Sequence, residues 1–309
     1  MDFKSTIDIN QFTLLDRIGG GSFGEVFRVK YNKTGEVFAA KISLSIIEKG
    51  SIAEIRDLSR EVNILSKISH PAIVKFVDFS GINFHKESKP VIITELLKNG
   101  SLLDIIELER KSLSKIDWND TRKLINIYSI ASAMAYLHKH NILHRDLKPA
   151  NILMDDFLCP KIADFGLSKI RHQNEDSMSL ESTTATKGTP IYIAPEVWTD
   201  QKYEPPCDVY SFSIIVYEII TNEKPFKGIR AFELPSKVVS GTRPNTDVIT
   251  NKSFKNLIVQ CWDNDPSKRP SFDEIVDKLK SDEGFITDLV EKEDYIDYIN
   301  YIDTYKTQF

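Results

Sequence analysis

Apolar and polar positions alternate with a period of two through much of the first hundred residues, as they do in half-buried β-strands. Residues 25–30, Glu25-Val26-Phe27-Arg28-Val29-Lys30, are the clearest example. Over residues 12–96 the pattern predicts, in order, a strand, a glycine-rich loop, a strand, a helix and three further strands, the last at Val91–Thr94. This part of the chain is therefore predicted to be a small β-rich unit.

A helical period of apolar residues replaces the strand period across residues 51–68 and again after residue 101. Helices are predicted at Leu102–Glu109 and Thr121–His140, with a polar loop at 111–120 between them and mainly helical structure afterwards. The second helix has a buried stripe of four apolar side chains, namely Leu124, Ile127, Ala131 and Met134. A β-rich unit followed by a larger helical unit is an α+β architecture.

Ile18-Gly19-Gly20-Gly21-Ser22-Phe23-Gly24-Glu25-Val26 is a glycine-rich loop between two apolar runs. Glycines lack Cβ, so backbone N–H groups there can approach phosphate oxygens closely. The spacing also fits a dinucleotide-binding fingerprint, which needs a helix directly after the glycines. The following residues alternate like a strand, which favours a hairpin folded over a nucleotide.

Lys41 lies on an apolar strand face with Val37 and Ala39, by period-two alternation. A lysine there either reaches water or needs an anion, because a buried unpaired charge is costly. Glu61 is a candidate partner, since it lies on the apolar side of the helix predicted at 51–68. Glu54 is an equally good candidate by helical spacing alone.

The stretch His144-Arg145-Asp146-Leu147-Lys148-Pro149-Ala150-Asn151 places a carboxylate, a cation and an amide within six residues. Asp146 can accept the proton of an attacking hydroxyl, Lys148 can hold a γ-phosphate, and Asn151 can ligate a metal ion. Asp164-Phe165-Gly166 follows thirteen residues after Asn151 and offers a second oxygen ligand. One carboxylate, one amide and phosphate oxygens suffice for Mg²⁺, which keeps several waters.

These motifs, with Gly188–Glu196, Asp208 and Arg269 after them, resemble the protein kinase superfamily over residues 12–280. The resemblance implies a bilobal kinase fold: an N-lobe at 12–96, a C-lobe at 97–280, and an acidic extension at 281–309. It selects Glu61 as the partner of Lys41 and makes Asp146 the catalytic base. It also implies ATP and Mg²⁺ as cofactors, and protein substrates in intracellular signalling.

The resemblance also implies roles for individual residues, at the positions of this sequence that match the motifs of the kinase family. The catalytic set implied is Asp146, Lys148, Asn151, Lys41, Glu61 and Thr189, where Thr189 would bridge Asp146 and Lys148; Asn151 and Asp164 would hold the metal. The nucleotide would contact the glycine loop, the adenine pocket, the gatekeeper Thr94 and the hinge, that is, Ile18, Gly19, Gly20, Gly21, Ser22, Phe23, Gly24, Val26, Ala39, Lys41, Thr94, Glu95, Leu97, Leu153 and Asp164.

Two parts of the chain give different specificity signals. Lys148 and Thr189 are typical of serine/threonine kinases, whereas Asp208–Phe212 and Cys261–Pro270 resemble tyrosine kinases. This mixture is characteristic of the tyrosine-kinase-like group of serine/threonine kinases. The segment 164–196 is then the activation segment. Phosphorylation at Thr184 or Thr186, by an activating kinase or by the protein itself, could pair with Arg145 and order the segment.

Composition adds limits on the class of protein. The 309 residues are 41% hydrophobic and 28% charged with a net charge of −5, which gives no case for nucleic-acid binding. No run of roughly 18 apolar residues predicts a membrane span. The three cysteines, Cys159, Cys207 and Cys261, predict no disulfide framework or metal site, so we expect a reducing, cytoplasmic location.

The acidic charge is concentrated at the C-terminus. Eight acidic residues and two lysines follow Ser281, so this extension has a net charge of −6 and the preceding chain +1. Tyr295, Ile299 and Ile302 recur at helical spacing, which fits either an amphipathic helix docked on the domain or a partner, or a frayed acidic tail.

Two alternatives to an active kinase stay open. A pseudokinase scaffold would bind ATP and partners without transferring phosphate, but Lys41, Asp146 and Asp164 are all present. A dinucleotide-dependent oxidoreductase would explain Gly19–Gly24 alone and requires a helix after them.

Overall fold

The computed structural model describes residues 7–21, 24–44, 61–113, 117–165, 168–170, 190–199 and 203–308. Its contacts divide the chain into two compact units. Unit 1 comprises the described residues within 7–69 and 73–98, together with Asp164 and Phe165. Unit 2 comprises residues 70–72, the described residues of 99–163, and those from Ser168 onwards.

Unit 1 is built on one antiparallel sheet of five strands in the order β1-β2-β3-β5-β4. The strands are β1 (Phe12–Gly21), β2 (Gly24–Tyr31), β3 (Val37–Ser43), β4 (Phe76–Ser80) and β5 (Val91–Glu95). One sheet face covers a hydrophobic core of six buried residues, namely Ile9, Phe12, Val29, Ala40, Val91 and Ile93. Several predicted site residues, namely Val26, Ala39, Lys41 and Thr94, lie on the opposite face of the sheet.

The predicted order of elements in this unit was wrong in one respect. The strand predicted around Lys41 precedes the helical residues 61–65, so three strands come before them and two after, whereas the predicted order had two before and three after. The extra strand arises because Tyr31 N–H donates to the Glu36 carbonyl at 2.8 Å and Gly35 adopts a φ of +77°. The chain therefore turns back as a tight hairpin, and β3 pairs with β2 before any helix begins.

Unit 2 is mainly helical. Its helices are α1 (Leu102–Arg110), α2 (Asp120–Lys139), α3 (Pro195–Thr199), α4 (Pro205–Thr221), α5 (Leu234–Val239), α6 (Lys252–Cys261), α7 (Phe272–Ser281) and α8 (Lys292–Gln308). Two-stranded pairings join β6 (Ile142–Leu143) to β9 (Lys169–Ile170), and β7 (Ile152–Met154) to β8 (Pro160–Ile162). No helix within the described residues is long and apolar enough to cross a membrane.

Side-chain caps explain where the first two helices begin. Ser101 and Asp104 form a capping box at α1, and the Asn119 side chain accepts the Arg122 N–H at α2. Both helices lie within one residue of their predicted bounds. The predicted apolar stripe of α2 is fully buried, as are most other residues of this helix, so α2 is a central helix of unit 2.

The acidic C-terminal extension is a docked helix. Tyr295 of α8 is 1% exposed, and its ring meets Tyr128 of α2 edge-on at 5.9 Å between centroids. Ile302 is fully buried, and the Tyr298 hydroxyl accepts a hydrogen bond from Ser129 at 2.8 Å. The prediction of an amphipathic helix that docks on the domain is confirmed, because its apolar side packs against α2.

An ion pair holds α3 to the segment before α7. Arg269 donates from Nη1 and Nη2 to the two carboxylate oxygens of Glu196, at 2.7 and 2.8 Å. The arginine side chain is fully buried and also donates to the carbonyls of Asp263 and Pro206. This is a bidentate pair in which the cation has no access to water, so loss of either partner leaves an unpaired buried charge.

We predict that Arg269→Ala destabilises the protein by about 3–5 kcal/mol, because Glu196 then keeps its charge without its partner. Thermal unfolding of Arg269→Ala, Glu196→Ala and the double variant measures this. The neighbouring exposed Lys268 supplies the control, since Lys268→Ala removes a charge that is 67% exposed. The double variant should lose less than the sum of the two single losses. Strictly additive losses would contradict an energetic coupling of the pair.

Candidate functional site

Within unit 1, three charged side chains meet at one point. Lys41 Nζ on β3 lies 2.9 Å from Glu61 Oε1, 3.1 Å from Glu61 Oε2 and 3.0 Å from Asp164 Oδ1. The Glu61 side chain is 7% exposed, and those of Lys41 and Asp164 are 24% and 31% exposed. Glu61 is thus the helical glutamate that meets Lys41. The alternative, Glu54, lies outside the described residues.

This cluster contains one cation, Lys41, and two carboxylates, Glu61 and Asp164. Burial alone would lower the pKa of Lys41, but the carboxylates of Glu61 and Asp164 together raise it well above its ordinary value. Burial and the nearby Asp164 charge raise the pKa of Glu61, against the attraction of Lys41. Lys41 is therefore a fixed cation, and the cluster carries one negative charge in excess while both carboxyl groups are ionised.

The same sheet face carries the other predicted binding residues of unit 1. Val26 pairs with Lys41, Lys41 with Ile92, and Ala39 with Thr94 across the neighbouring strands. Directly paired residues project their side chains to the same face. Val26, Ala39 and Thr94 are half-buried and form a largely apolar floor beside the Lys41 amine.

The glycine-rich segment is the hairpin between β1 and β2. Gly19 pairs with Val26, Gly20 with Glu25 and Gly21 with Gly24, so a strand follows the glycines. A Cβ on Gly24 would lie 2.6 Å from the Ile42 carbonyl oxygen, which fixes glycine at this position. The helix that a dinucleotide fingerprint requires is absent after Gly24, so the oxidoreductase alternative is wrong.

Within unit 2, the residues after β6 bring a second polar cluster together. Asp146 Oδ2 accepts hydrogen bonds from Lys148 Nζ at 2.7 Å and from Asn151 Nδ2 at 2.9 Å. Asn151 Nδ2 also donates to the Asp146 carbonyl at 2.9 Å. Both donors converge on one carboxylate oxygen. Asp146 Oδ1 makes no such bond with the part of the chain that is described, so it can accept a proton from a bound hydroxyl.

Asp208 in α4 fixes the backbone of this loop. Its carboxylate is fully buried and accepts the successive backbone N–H groups of His144 and Arg145, both at 3.0 Å. The Tyr203 hydroxyl and His138 Nε2 also donate to it, each at 2.9 Å. Burial alone would raise the pKa of Asp208, but the bonds from His138 and Arg145 hold that pKa below its usual value.

The loop also carries backbone strain next to its reactive group. Arg145 has a φ of +69°, in the left-handed region that non-glycine residues seldom adopt. Such a conformation persists only where the surrounding bonds impose it, and here the Arg145 N–H is held by Asp208. The sequence motif named Asp208 but gave no signal for His138 or Tyr203. His138 lies on α2 and Tyr203 lies just before α4, and both side chains bond Asp208.

Two of the predicted residues could hold a divalent metal. Asn151 uses its amide nitrogen on Asp146, which leaves the amide oxygen for a cation. Asp164 supplies a carboxylate, and its backbone has a φ of +60°. Hard oxygen donors of these kinds suit Mg²⁺. Within the described residues there is no cluster of three or more His, Cys, Asp or Glu side chains that could hold a metal unaided.

The remaining predicted residues divide into described and undescribed positions. Ile18 is 46% exposed at the hairpin, and Glu95, Leu97 and Leu153 are half-buried. The other predicted positions, namely Ser22, Phe23, Thr189 and the phosphorylation candidates Thr184 and Thr186, lie outside the described residues.

Comparisons with known proteins point to one family. The profile described as "Protein tyrosine and serine/threonine kinase" matches residues 12–279. The dual specificity protein kinase pyk3 of Dictyostelium discoideum is 32% identical over 96% of the chain. The serine/threonine-protein kinase STY17 of Arabidopsis thaliana is 32% identical over 88%. A probable LIM domain-containing serine/threonine-protein kinase of Dictyostelium discoideum is 34% identical over 86%.

The chain spans only part of these relatives. It covers 21% of the length of pyk3, 45% of STY17 and 38% of the LIM domain-containing protein. The similarity therefore concerns one shared domain rather than the whole of each relative.

We predict that Lys41→Met destabilises the protein without any ligand present, because the buried Glu61 carboxylate then loses the cation that lies between it and Asp164. The loss should be smaller than the roughly 3–5 kcal/mol of a fully buried pair, since Lys41 and Asp164 are partly exposed. Burial and the Asp164 charge raise the pKa of Glu61 in the folded state, and Lys41 no longer opposes them in the variant. The penalty should therefore be full at pH 8 and should shrink as the pH falls towards 5.

Thermal unfolding of the wild type and Lys41→Met at both pH values measures this penalty. Lys67→Met is the matched control, because Lys67 is exposed in the turn that follows the helical residues 61–65. An equal loss at both pH values would show that the two carboxylates do not repel each other in the variant.

Proposed function

Since the chain belongs to the family of protein tyrosine and serine/threonine kinases, we propose that it transfers the γ-phosphate of ATP to serine or threonine hydroxyls of protein substrates. The observation that carries the proposal is the convergence of Lys148 and Asn151 on one oxygen of Asp146. The second oxygen then accepts the proton of the attacking hydroxyl. Lys148 also places a cation where the transferred phosphoryl group gains charge.

Lys41 acts on the nucleotide in this proposal. Two carboxylates hold its amine in place, so little side-chain freedom is lost when it binds the α- and β-phosphates. The apolar floor of Val26 and Ala39 suits an adenine ring, and Thr94 beside it suits a gatekeeper. The β1–β2 hairpin offers backbone N–H groups to the phosphates.

Asn151 and Asp164 are the proposed ligands of Mg²⁺. The cation, when bound, neutralises charge on the phosphates during transfer. Asp164 contributes a carboxylate that Lys41 already orients, and Asn151 contributes an amide oxygen oriented by Asp146. Each ligand is thus positioned by a residue that has its own part in the reaction.

The proposed acceptor is a serine or threonine hydroxyl. Lys148 and Thr189 support this choice, because the residues around Asp146 contact the acceptor and distant helices do not. The names of the relatives indicate different acceptor specificities, since STY17 is named a serine/threonine kinase and pyk3 a dual specificity kinase. Membership of the tyrosine-kinase-like group agrees with both names.

The proposed catalytic domain covers residues 12–280, and α8 of the extension docks on its helical unit. Activation by phosphorylation at Thr184 or Thr186 remains part of the proposal, as does a protein substrate. A pseudokinase scaffold would share the fold and the nucleotide site. The presence of Lys41, Asp146 and Asp164 favours transfer over that alternative.

We predict that Asp146→Asn lowers phosphate transfer from ATP to a serine peptide by about 10²–10⁴-fold, because an amide cannot accept the hydroxyl proton. Nucleotide affinity should stay within about twofold of the wild type, since Asp146 makes no proposed contact with the nucleotide. Radiolabelled transfer and fluorescence of a bound ATP analogue measure the two quantities.

Asp156→Asn is the control for this experiment, because Asp156 is an exposed acid in the β7–β8 turn. Transfer at the wild-type rate by Asp146→Asn would overturn the proposed role of Asp146. ATP binding without transfer by the wild type would favour the scaffold.

We further predict that the products are phosphoserine and phosphothreonine. Peptides that differ only in having serine, threonine or tyrosine at the acceptor position should be phosphorylated at least tenfold faster on the first two. Phosphoamino-acid analysis of each product provides the check. Mainly phosphotyrosine would show that the tyrosine-kinase-like helices, rather than Lys148, indicate the specificity.

A further inference from the structure

A cavity of about 240 Å³ in unit 2 opens beside the loop that carries Asp146. Lys148, Pro149 and Ala150 form one wall, and Lys148 contacts Asp146 at 2.7 Å. Pockets for drug-sized ligands have volumes of roughly 300–1,000 Å³, so this one is of a size for a single amino-acid side chain. An extended peptide advances about 3.3–3.6 Å per residue. A substrate residue within about three positions of the acceptor can therefore reach the cavity.

Glu218 is the one carboxylate among the described residues that line the cavity. Its Oε1 accepts from Arg110 Nη2 at 2.9 Å, and its Oε2 accepts from the Tyr192 hydroxyl at 2.5 Å. The Glu218 side chain is only 3% exposed. Both oxygens are thus bonded from within the protein, and little of the carboxylate surface faces a ligand.

Arg110 is held firmly in this position. Its Nε donates to the Asn222 carbonyl and its Nη2 to the Glu223 carbonyl, both at 2.9 Å. Asn222 ends α4 in the left-handed conformation, with a φ of +57°. The negative charge of Glu218 is therefore already matched by Arg110, and a substrate cation that approached Glu218 would also meet the Arg110 charge.

The rest of the lining favours an apolar occupant. Leu103, Ile191 and Pro225 supply hydrocarbon surface, and Leu103 and Ile191 are only half-buried. The remaining charged groups are cations, since Lys148 and Lys224 stand at the wall with Arg110 behind them. A substrate arginine or lysine would therefore meet like charges, whereas a leucine, methionine or phenylalanine would remove apolar surface from water.

We propose that this cavity is a specificity subsite that takes a large apolar side chain of the substrate near the acceptor residue and rejects a basic one. Leu103 and Ile191 are the residues that determine the preference, and Arg110 closes the Glu218 carboxylate to substrate cations. The inference rests on the proposed kinase activity and specifies the class of protein substrate.

The test uses serine peptides that carry leucine, arginine or glutamate at each of the three positions on either side of the acceptor. At one position, kcat/KM for the leucine peptide should exceed that for the arginine peptide by at least about tenfold. Leu103→Ala and Ile191→Ala should each reduce this ratio at the same position. Leu113→Ala is the matched control, because Leu113 is 62% exposed and does not line the cavity. It should leave the ratio unchanged.

A charge-introducing variant tests the electrostatic part separately. Ala150 is exposed at the wall, so Ala150→Glu adds a carboxylate that no internal cation occupies. This variant should shift the preference at that position towards arginine. A wild-type preference for arginine, or a leucine preference that Leu103→Ala and Ile191→Ala leave intact, would overturn the subsite.

Peptide binding to Asp146→Asn, measured by fluorescence anisotropy, separates failure of the subsite from failure of the proposed function. Tighter binding of the leucine peptide supports the subsite even where no phosphate transfer is seen. Equal binding of the leucine and arginine peptides contradicts it. Absence of transfer from the wild type on every peptide counts against the proposed function alone.

Discussion

A fully buried carboxylate, that of Asp208, is the constraint on which the loop that carries Asp146 depends. An ionised carboxylate in the interior must have its oxygens hydrogen-bonded, since burial without partners costs several kcal/mol. Here the donors include two successive backbone N–H groups, those of His144 and Arg145, which immediately precede Asp146. Satisfying the buried charge therefore fixes the backbone from which Asp146 projects, and it holds Arg145 in a strained conformation.

Both units contain buried or half-buried carboxylates, and the groups that stabilise these charges differ between the units. In unit 2 the buried Asp208 accepts bonds from two backbone N–H groups, His138 and Tyr203. The nearby Asp146 accepts bonds from the described residues through Oδ2. In unit 1 a single cation, Lys41, is shared between two carboxylates. That arrangement raises the pKa of Lys41 and leaves the lysine charged over the whole physiological range.

Much of the fold and of the site could be predicted from the sequence, because strand and helix periods report burial directly. The bounds of α1 and α2 and the apolar stripe of α2 follow from spacing, and the contact between Lys41 and Glu61 follows from spacing together with a family pattern. The order of strands in unit 1 was predicted incorrectly, because one short hairpin at Gly35 decides it and a single turn leaves little periodic signal. Choosing between a docked and a frayed tail required tertiary contacts, namely those of Tyr295 and Ile302 with buried surface.

His138 and Tyr203 could not be found from spacing, since they meet Asp208 only after α2 and α4 pack together. The closure of Glu218 by Arg110 joins residues more than a hundred positions apart and has no local signature.

The most direct test of the central claim, that Asp146 and its loop perform phosphoryl transfer, is the stoichiometry of a single reaction. Purified protein, ATP, Mg²⁺ and a serine peptide are incubated together, and ADP and phosphopeptide are quantified in the same samples by chromatography and mass spectrometry. The account predicts one phosphopeptide for each ADP, formation of neither when Mg²⁺ is chelated, and no excess ADP while peptide is present. Bound ATP that yields neither product, or ADP formed without phosphopeptide, would contradict it.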